Sequence, residues 1–446
     1  MGPFDVAIVG AGSAGAATAR QLARRGLRVF VGDKRPRQDA GARWVNAVPD
    51  WMFARADVAA PEGAERRSHG ERYVLASATG TTRVEVPRCP TTFLDMRLLI
   101  ARLQDDAIAA GAVIEGGLAV DAVDVVGRDQ RLHLSGQGRQ LTVRARLVVD
   151  ATGMRGAVRS LVPALSRRCP PVQDRDICLA AQEVRTIADV EGARRFLDDN
   201  RLNDRDAFGV VGLAGGFSTR LVIVDLARGE VDLLCGAIAG GRFPSGARLL
   251  QDFVAAEPWI GERLFGGAGA IPLRRPWDTL GTAGVALVGD AASMVFPAHG
   301  SGVGAGLIAA RLLGDAVAAG TDPGSPAVIR RYSQSFHQEL GSLCVAYDAF
   351  RRATQDLSAD ELTALMAAGF LNEHTTGDAL AQVMPGFALQ RSLALGRAAL
   401  RAPRLAKTMA PTVGRMLLAH AVASRFPASA RLAPWVGRGL DRLVGG

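Results

Sequence analysis

The sequence predicts an α/β protein that combines a parallel sheet, a separate antiparallel sheet and a helical C-terminal region. Three observations support this prediction. A short apolar strand leads into a glycine-rich turn and a helix at the start of the chain. Apolar and polar residues alternate in long runs between residues 175 and 240, as is typical of antiparallel sheets. After residue 326 the chain has helical composition, interrupted mainly by prolines.

The first elements are a strand over residues 4–9, the turn 10–15 of sequence Gly-Ala-Gly-Ser-Ala-Gly, and a helix that ends near Gly26. In such a G-x-G-x-x-G turn the glycines permit a tight turn, close approach of a pyrophosphate, and close packing of helix on strand. The N-terminus of the helix offers free N–H groups to phosphate oxygens. Asp33 ends the second strand 18 residues after Gly15, where a carboxylate can accept hydrogen bonds from a ribose. This segment predicts a dinucleotide site.

The next region is assigned to the same domain. Proline and glycine punctuate residues 34–90, which indicates an insertion over 38–88. An amphipathic helix is predicted over 93–110 and closed by Gly111, and strands are predicted over 112–126, 130–136 and 140–149. The first part of this domain therefore spans 1–170.

The antiparallel sheet is assigned to a second domain, 171–269, which we expect to bind the substrate. An apolar strand over 285–288 is typical of the middle of a parallel sheet, and a helix rich in small residues follows over 302–319. We therefore expect the first domain to resume over 270–355. Residues 356–446 are expected to form a basic helical region.

Two further motifs narrow the chemistry. Residues 147–159 (Leu-Val-Val-Asp-Ala-Thr-Gly-Met-Arg-Gly-Ala-Val-Arg) follow a strand, and residues 284–292 (Gly-Val-Ala-Leu-Val-Gly-Asp-Ala-Ala) precede Pro-Ala-His-Gly-Ser-Gly-Val-Gly at 297–304. Asp290 would accept a hydrogen bond from a ribityl hydroxyl, and the helix near Gly302 would direct N–H groups at an electron-rich ring. With these motifs in this order, residues 4–320 resemble the large FAD-dependent oxidoreductases of the aromatic-hydroxylase type. That superfamily includes group A flavin monooxygenases, geranylgeranyl reductases and flavin-dependent halogenases.

The resemblance implies a Rossmann-type FAD-binding domain and assigns residues to the parts of the cofactor. The glycine turn and Asp33 would hold the ADP half, Asp290 the ribityl and pyrophosphate region, and residues 297–304 the isoalloxazine ring. Arg97 matches a helix-borne arginine that contacts the cofactor in such proteins. The expected cofactor residues are Gly10, Gly12, Ser13, Ala14, Gly15, Asp33, Lys34, Arg43, Arg97, Thr152, Gly153, Gly289, Asp290, Pro297, Gly300, Gly302 and Val303.

His299 is the histidine inside the flavin-facing motif and is the expected catalytic residue. It would donate a proton or a hydrogen bond to the flavin or the substrate, the alternative being a loop histidine that caps backbone groups. The other histidines show no metal-ligand spacing. Trp44 and Asn46 fall where relatives line the flavin, and packing in the core is the alternative for Trp44.

The middle motif departs from the superfamily pattern, because Thr152 and Gly156 stand where an Asp and a Ser are usual. In group A monooxygenases that Asp is linked to the handling of both FAD and NADPH. The resemblance therefore implies NAD(P)H as the electron donor, acting either directly or through a separate flavin reductase. The halogenase Trp-x-Trp-x-Ile-Pro run is absent, and Lys34 and Lys407 are the lysines of the chain, which disfavours chlorination.

Four functions follow from these observations. The first is a monooxygenase that acts on a hydrophobic, biosynthetic or carrier-tethered substrate through a flavin C4a-hydroperoxide. The second is a geranylgeranyl-reductase-like enzyme that saturates C=C bonds of a prenyl or lipid substrate. The others are a halogenase-like two-component flavoenzyme and a non-catalytic flavin-binding sensor. The expected antiparallel domain carries few acid–base groups on its strands, which favours a hydrophobic substrate.

The net charge of +9 is concentrated at the C-terminus. Residues 390–446 hold ten Arg and Lys residues, from Arg391 to Arg442, and Asp441 is the one acidic residue there. This distribution disfavours a nucleic-acid binder and favours an anionic membrane surface or an acidic carrier protein as partner. A helical cap with a solvated basic face is the alternative. Five scattered cysteines and the absence of a signal-peptide pattern predict a cytoplasmic protein, peripheral at the membrane if the tail binds lipid.

Overall fold

The computed structural model describes residues 3–126, 128–386, 396, 397, 399–429 and 431–445. Its central element is a parallel sheet in the order β8-β2-β1-β11-β18, with β17 at one edge and the antiparallel strands β9 and β10 packed beside β11. The strands of this first sheet are β1 (Phe4–Val9), β2 (Val29–Asp33), β8 (Val113–Gly116), β9 (Ala119–Val126), β10 (Asp129–Gly136), β11 (Arg139–Asp150), β17 (Gly281–Thr282) and β18 (Val285–Leu287).

Helices cover this parallel sheet because its central strands are apolar on both faces. Val6, Ala7 and Ile8 of β1 are fully buried. The helices of the described chain are α1 (Ser13–Ala23), α2 (Asp50–Arg55), α3 (Met96–Ala109), α4 (Ala157–Leu161), α5 (Pro163–Arg168), α6 (Val190–Asp199), α7 (Gly246–Ala256), α8 (Val303–Ala318), α9 (Pro326–Phe336), α10 (Ser342–Thr354), α11 (Ala359–Ala368), α12 (Glu373–Leu380), α13 (Pro403–Ala423) and α14 (Ala433–Val444). Helices α1, α3 and α8 pack around β1 and β2, so the glycine turn is held between a buried sheet and two neighbouring helices.

The second sheet has seven strands in the order β16-β12-β15-β14-β13-β5-β6. They are β5 (Tyr73–Ser77), β6 (Arg83–Val86), β12 (Ile177–Ile187), β13 (Ala207–Val211), β14 (Ser218–Asp225), β15 (Glu230–Ile238) and β16 (Ile260–Pro272). Strands β12 to β16 pair antiparallel, as the alternation of apolar residues predicts, whereas β5 joins β13 in parallel. Two strands from the predicted insertion 38–88 therefore complete this sheet.

A third, small sheet is formed by three strands between β2 and β8 in sequence. It consists of β3 (Val45–Pro49), β4 (Arg66–His69) and β7 (Thr91–Asp95), in the order β3-β7-β4. The helix predicted over 93–110 begins three residues later, at Met96, because Phe93 and Leu94 pair with β3 and the Asp95 side chain accepts a hydrogen bond from the Arg97 amide. The carboxylate thus caps α3 and ends β7.

The C-terminal region is helical, as predicted from its composition. Helix α13 packs on α10 and α14, with Met416, Ala419 and Ala423 buried at the contact. In the described part of the chain no helix is both long enough and apolar enough to cross a membrane. Arg391, the first basic residue of the predicted tail, lies outside the described residues.

Candidate cofactor site

A cavity of about 440 Å³ opens where the parallel strands of the first sheet end. Strand ends and the following turns supply most of its wall: Val9 and Gly10 after β1, Asp33 and Lys34 after β2, and Ala151 to Arg155 after β11. Residues of β16 in the second sheet form the opposite side. In open α/β sheets the crevice outside the carboxyl ends of the strands is where ligands bind. The cavity therefore lies where the first motif predicts a dinucleotide.

The glycine turn has the backbone geometry that its sequence predicts. Gly10 has a φ of +104°, and a Cβ at Gly15 would lie 1.9 Å from the carbonyl oxygen of Gly10. At Gly12 a Cβ would lie 3.1 Å from the Cα of Gly41. No described side chain caps the N-terminus of α1, so its first N–H groups remain available to a phosphate. Gly15 does not line the cavity; it allows α1 to pack against the turn.

Asp33 is buried and already fixes the backbone around the turn. Its Oδ2 accepts a hydrogen bond of 2.7 Å from the Ala11 amide, and its Oδ1 accepts one of 2.8 Å from the Arg35 amide. Each carboxylate oxygen can accept a further bond, so a ribose hydroxyl remains compatible with this arrangement. Asp33 thereby joins the end of β2 to the turn after β1.

Thr152 belongs to a buried network at the end of β11. Its hydroxyl donates to Asp150 Oδ1 at 2.7 Å and accepts from the Ala157 amide at 2.7 Å. Asp150 also accepts from the Arg159 amide, and the Arg159 guanidinium reaches the Ala291 carbonyl oxygen at 3.0 Å. Although burial raises the pKa of Asp150, the hydrogen bonds from Thr152 oppose that shift. Thr152, which stands where the superfamily motif usually has an Asp, thus has a structural role. It holds Asp150 in a network that Arg159 extends to Ala291.

Asp290 is the exception among these carboxylates, because no described donor reaches its side chain. Removal from water raises its pKa to about 6. An unpaired carboxylate that lines a cavity is expected to have a ligand donor as its partner. A ribityl hydroxyl supplies such a donor. Together with the uncapped helix and the glycine-lined turn, this carboxylate fits a bound FAD.

The far end of the cavity is apolar. It is lined by Ala268, Ala270 and Ile271 of β16, by Val295 and by the indole of Trp44. The Trp44 ring lies against β16, because Cβ atoms at Gly267 and Gly269 would be 3.3 and 3.0 Å from it. Gly300 and Gly302 complete this end, and α8 starts there without a described side-chain cap. The loop predicted to face the flavin ring therefore meets the second sheet at this end.

Most of the predicted cofactor residues line this one cavity. They are Gly10, Gly12, Ser13, Ala14, Asp33, Lys34, Thr152, Gly153, Gly289, Asp290, Gly300, Gly302 and Val303. Pro297 does not line it, although its neighbours in the loop do.

Three charged or titratable candidates lie elsewhere. Arg43 donates to the Gln38 carbonyl oxygen and pairs with Asp39 at 3.5 Å. Arg97 pairs with Asp95, and its guanidinium lies 3.4 Å from the ring centroid of Phe265. His299 is exposed, and its ring centroid lies 4.8 Å from that of Phe296. Arg43 and Arg97 thus have local partners, a surface carboxylate for Arg43 and a carboxylate and an aromatic ring for Arg97, and neither lines the cavity.

Sequence reasoning did not single out several lining residues. Arg35, Gly41 and Arg155 are among them, as are Leu118, just before β9, and Ala119 and Val120, which begin β9. Arg155 lies inside the quoted motif and could have been found there. The β16 residues carry no motif, because their place in the wall depends on how the two sheets pack together.

Comparisons with known proteins agree with this geometry. A family model described as FAD dependent oxidoreductase matches residues 5–91. A digeranylgeranylglycerophospholipid reductase of Sulfolobus acidocaldarius is 25% identical over 80% of this chain and 79% of its own length. Digeranylgeranylglycerophospholipid reductase 2 of Methanopyrus kandleri is 26% identical over 82% of this chain and 90% of its own length.

Solved structures share the fold. A geranylgeranyl bacteriochlorophyll reductase-like protein of Thermoplasma acidophilum superposes with a TM-score of 0.73 at 16% identity, covering 92% of this chain and 99% of that one. A flavin-dependent brominase superposes with a TM-score of 0.61 at 13% identity, covering 88% of this chain and 98% of that one. The chain is thus similar over four fifths of its length to proteins named as digeranylgeranylglycerophospholipid reductases, its residues 5–91 match the FAD dependent oxidoreductase model, and it shares its fold with a geranylgeranyl reductase-like protein and a flavin-dependent brominase.

Proposed function

We propose that this chain is an FAD-dependent reductase that saturates C=C bonds of a prenyl-type lipid. The observation that carries the proposal is the apolar end of the cavity. Ala268, Ala270, Ile271, Val295 and Trp44 offer no ionisable group to a substrate. The relatives that match four fifths of the chain are named for the reduction of prenyl lipids, which supports the same assignment.

The chain's residues would divide the work between binding and exclusion of water. The glycine turn and the N-terminus of α1 would hold the pyrophosphate, and Asp290 would accept a ribityl hydroxyl. The chemistry that bound, reduced FAD would supply is a hydride for one alkene carbon, the other carbon taking a solvent proton and NAD(P)H, directly or through a flavin reductase, providing the electrons. The apolar wall of β16 and Trp44 would exclude water and hold the alkene beside the ring.

Anaerobic turnover tests this proposal. Protein loaded with FAD and reduced by dithionite would be incubated with a geranylgeranyl glycerophospholipid, and the lipid analysed by mass spectrometry. We expect a gain of two hydrogens for each double bond reduced, without oxygen. A product that requires oxygen and gains one oxygen atom would favour the monooxygenase instead. Tight FAD binding without any turnover would favour the sensor.

Two variants on one strand locate the site. Ile271→Asp places a charge in the apolar end of the cavity, whereas Leu264→Asp places the same charge at an exposed position of β16. Both should keep the FAD absorbance. We expect Ile271→Asp to lose turnover and Leu264→Asp to retain it. Equal activity of the two variants would contradict binding of the substrate at this end.

A further inference from the structure

The last helix carries a stripe of basic and aromatic residues that points away from the protein. Trp435, Arg438 and Arg442 recur at the spacing of one face of α14, Arg431 and Leu432 lie in the turn that leads into it, and all five are exposed. Trp435 is 68% exposed and the adjacent Leu432 is 55% exposed. We call these five residues the docking stripe. The opposite side of α14 is packed, with Gly437, Leu440 and Val444 buried.

The docking stripe is held in a fixed orientation. The buried Arg275 donates to Asp441 Oδ1 from Nε and Nη2, at 2.9 and 2.7 Å, and to the Gly437 carbonyl oxygen at 3.1 Å. A Cβ on Gly437 would lie 2.0 Å from Oδ2 of Asp278, the other carboxylate partner of Arg275, so α14 sits closely against this ion pair. Asp441, the acidic residue of the tail, is thereby directed inward and does not neutralise the stripe.

The cations of the stripe have no acidic partner in the part of the chain that the structure describes. Among the described residues, no carboxylate pairs with Arg431, Arg438 or Arg442. Two exposed arginines elsewhere do pair with acids, Arg195 with Asp189 and Arg248 with Asp252, and they offer a matched control surface. Unpaired cations interspersed with exposed Trp and Leu are typical of helices that lie at a membrane interface.

Helix α13 presents the same combination. Lys407, Arg415, Leu417 and Leu418 lie on its outward face, opposite the buried Met416, Ala419 and Ala423, and the exposed Arg425 follows just after its end. Leu418 is 53% exposed. Two consecutive helices therefore each expose apolar side chains among cations.

We propose that the outward faces of α13 and α14 dock the protein on an anionic lipid bilayer. The arginines would pair with lipid phosphates, and Trp435 and Leu432 would enter the headgroup region. An acidic protein partner would satisfy the arginines but leaves the exposed indole and leucines without an apolar environment. This surface is separate from the cofactor cavity, so it operates whichever reaction the flavin performs.

Vesicle co-sedimentation of the full-length, FAD-loaded protein tests the proposal. We expect binding to vesicles of phosphatidylcholine with phosphatidylglycerol, weaker binding at high salt, and little binding to phosphatidylcholine alone. The triple variant Arg431→Gln, Arg438→Gln, Arg442→Gln should bind anionic vesicles at least about tenfold more weakly. The matched control, Arg194→Gln, Arg195→Gln, Arg248→Gln, loses the same charge from another surface and should bind normally.

Tryptophan fluorescence reports insertion directly. Anionic vesicles should shift the emission of the protein to the blue; Trp435→Phe should abolish this shift, and Trp51→Phe should retain it. The proposal is overturned by an absence of binding to anionic vesicles at low salt, or by unchanged binding of the triple variant. Binding without a Trp435-dependent shift, displaced by polyglutamate, would assign the stripe to an acidic protein partner instead.

Discussion

The carboxylate of Asp290 is placed to bind a ligand, and this placement lowers the stability of the ligand-free protein. Burial raises its pKa from 3.8 to about 6. A raised carboxyl pKa means that the folded state holds its proton more tightly than the unfolded state does. The ionised group therefore destabilises the ligand-free fold increasingly as pH rises from about 4 to 6, by up to about 3 kcal/mol.

Asp290→Asn should remove this penalty. In FAD-free protein we expect the variant to be more stable than the parent at pH 7 and equally stable near pH 4, as measured by urea unfolding. It should also bind FAD about tenfold more weakly, since a neutral acceptor replaces a charged one. A stability difference that does not change with pH would refute the assigned pKa shift.

Gly15 must be glycine because a neighbouring backbone atom leaves no room for a side chain. A methyl group there would meet the Gly10 carbonyl oxygen at 1.9 Å, so Gly15→Ala must displace either α1 or the turn. We expect loss of bound FAD by absorbance and destabilisation of about 3 kcal/mol or more. The control is Gly414→Ala on α13, where nothing lies within 4 Å; it should be neutral or stabilise the protein by up to about 1 kcal/mol.

Thr152 should matter for stability even if it never contacts substrate. Thr152→Val removes the donor to Asp150 and the acceptor for the Ala157 amide. We expect a loss of about 1–3 kcal/mol in urea unfolding, because a buried carboxylate loses part of its hydrogen bonding. Thr81→Val, which changes an exposed threonine, serves as the control and should unfold like the parent. Equal stability of the two variants would argue against the network.

At the scale of elements, one buried arginine determines how α14 is attached. Arg275 is fully buried, and its carboxylate partners Asp278 and Asp441 raise its pKa above the ordinary value. Asp441→Asn leaves this charge with a single carboxylate, and we expect destabilisation of about 1–2 kcal/mol, reduced by the partial exposure of Asp441. Hydrogen exchange over 433–444 should accelerate. Asp252→Asn, which breaks the exposed pair with Arg248, should change neither quantity.

The sequence predicted helices and strands well where the pattern depended only on residues that are close together in the chain. The glycine turn, the apolar β18 and the small-residue helix α8 lie close to their predicted positions because each depends on its own neighbours in sequence. The prediction was less complete over 38–88. Strands β5 and β6 are short: β5 depends on pairing with β13, which is more than a hundred residues away, and β6 pairs with β5.

At the scale of the molecule, the five cysteines are all buried and free. Burial raises the pKa of each thiol, to about 12 for Cys169, Cys178, Cys235 and Cys344. We expect the native protein to react very slowly with a thiol reagent and to expose five thiols in denaturant. A reducing agent should leave the unfolding midpoint unchanged. Rapid labelling of a native cysteine would show that its surroundings open readily.

The sequence by itself determined the α/β fold, the glycine turn and the motif residues that line the cavity, because each signal is local. It also located the positive charge at the C-terminus. The tertiary structure decided the rest. Packing of β16 against the turns of the first sheet formed the apolar end of the cavity, and local partners drew Arg43 and Arg97 away from it. The ion pair of Asp441 with the buried Arg275 left the arginines of α14 facing outward, since contacts between distant residues determine which side of a helix is buried.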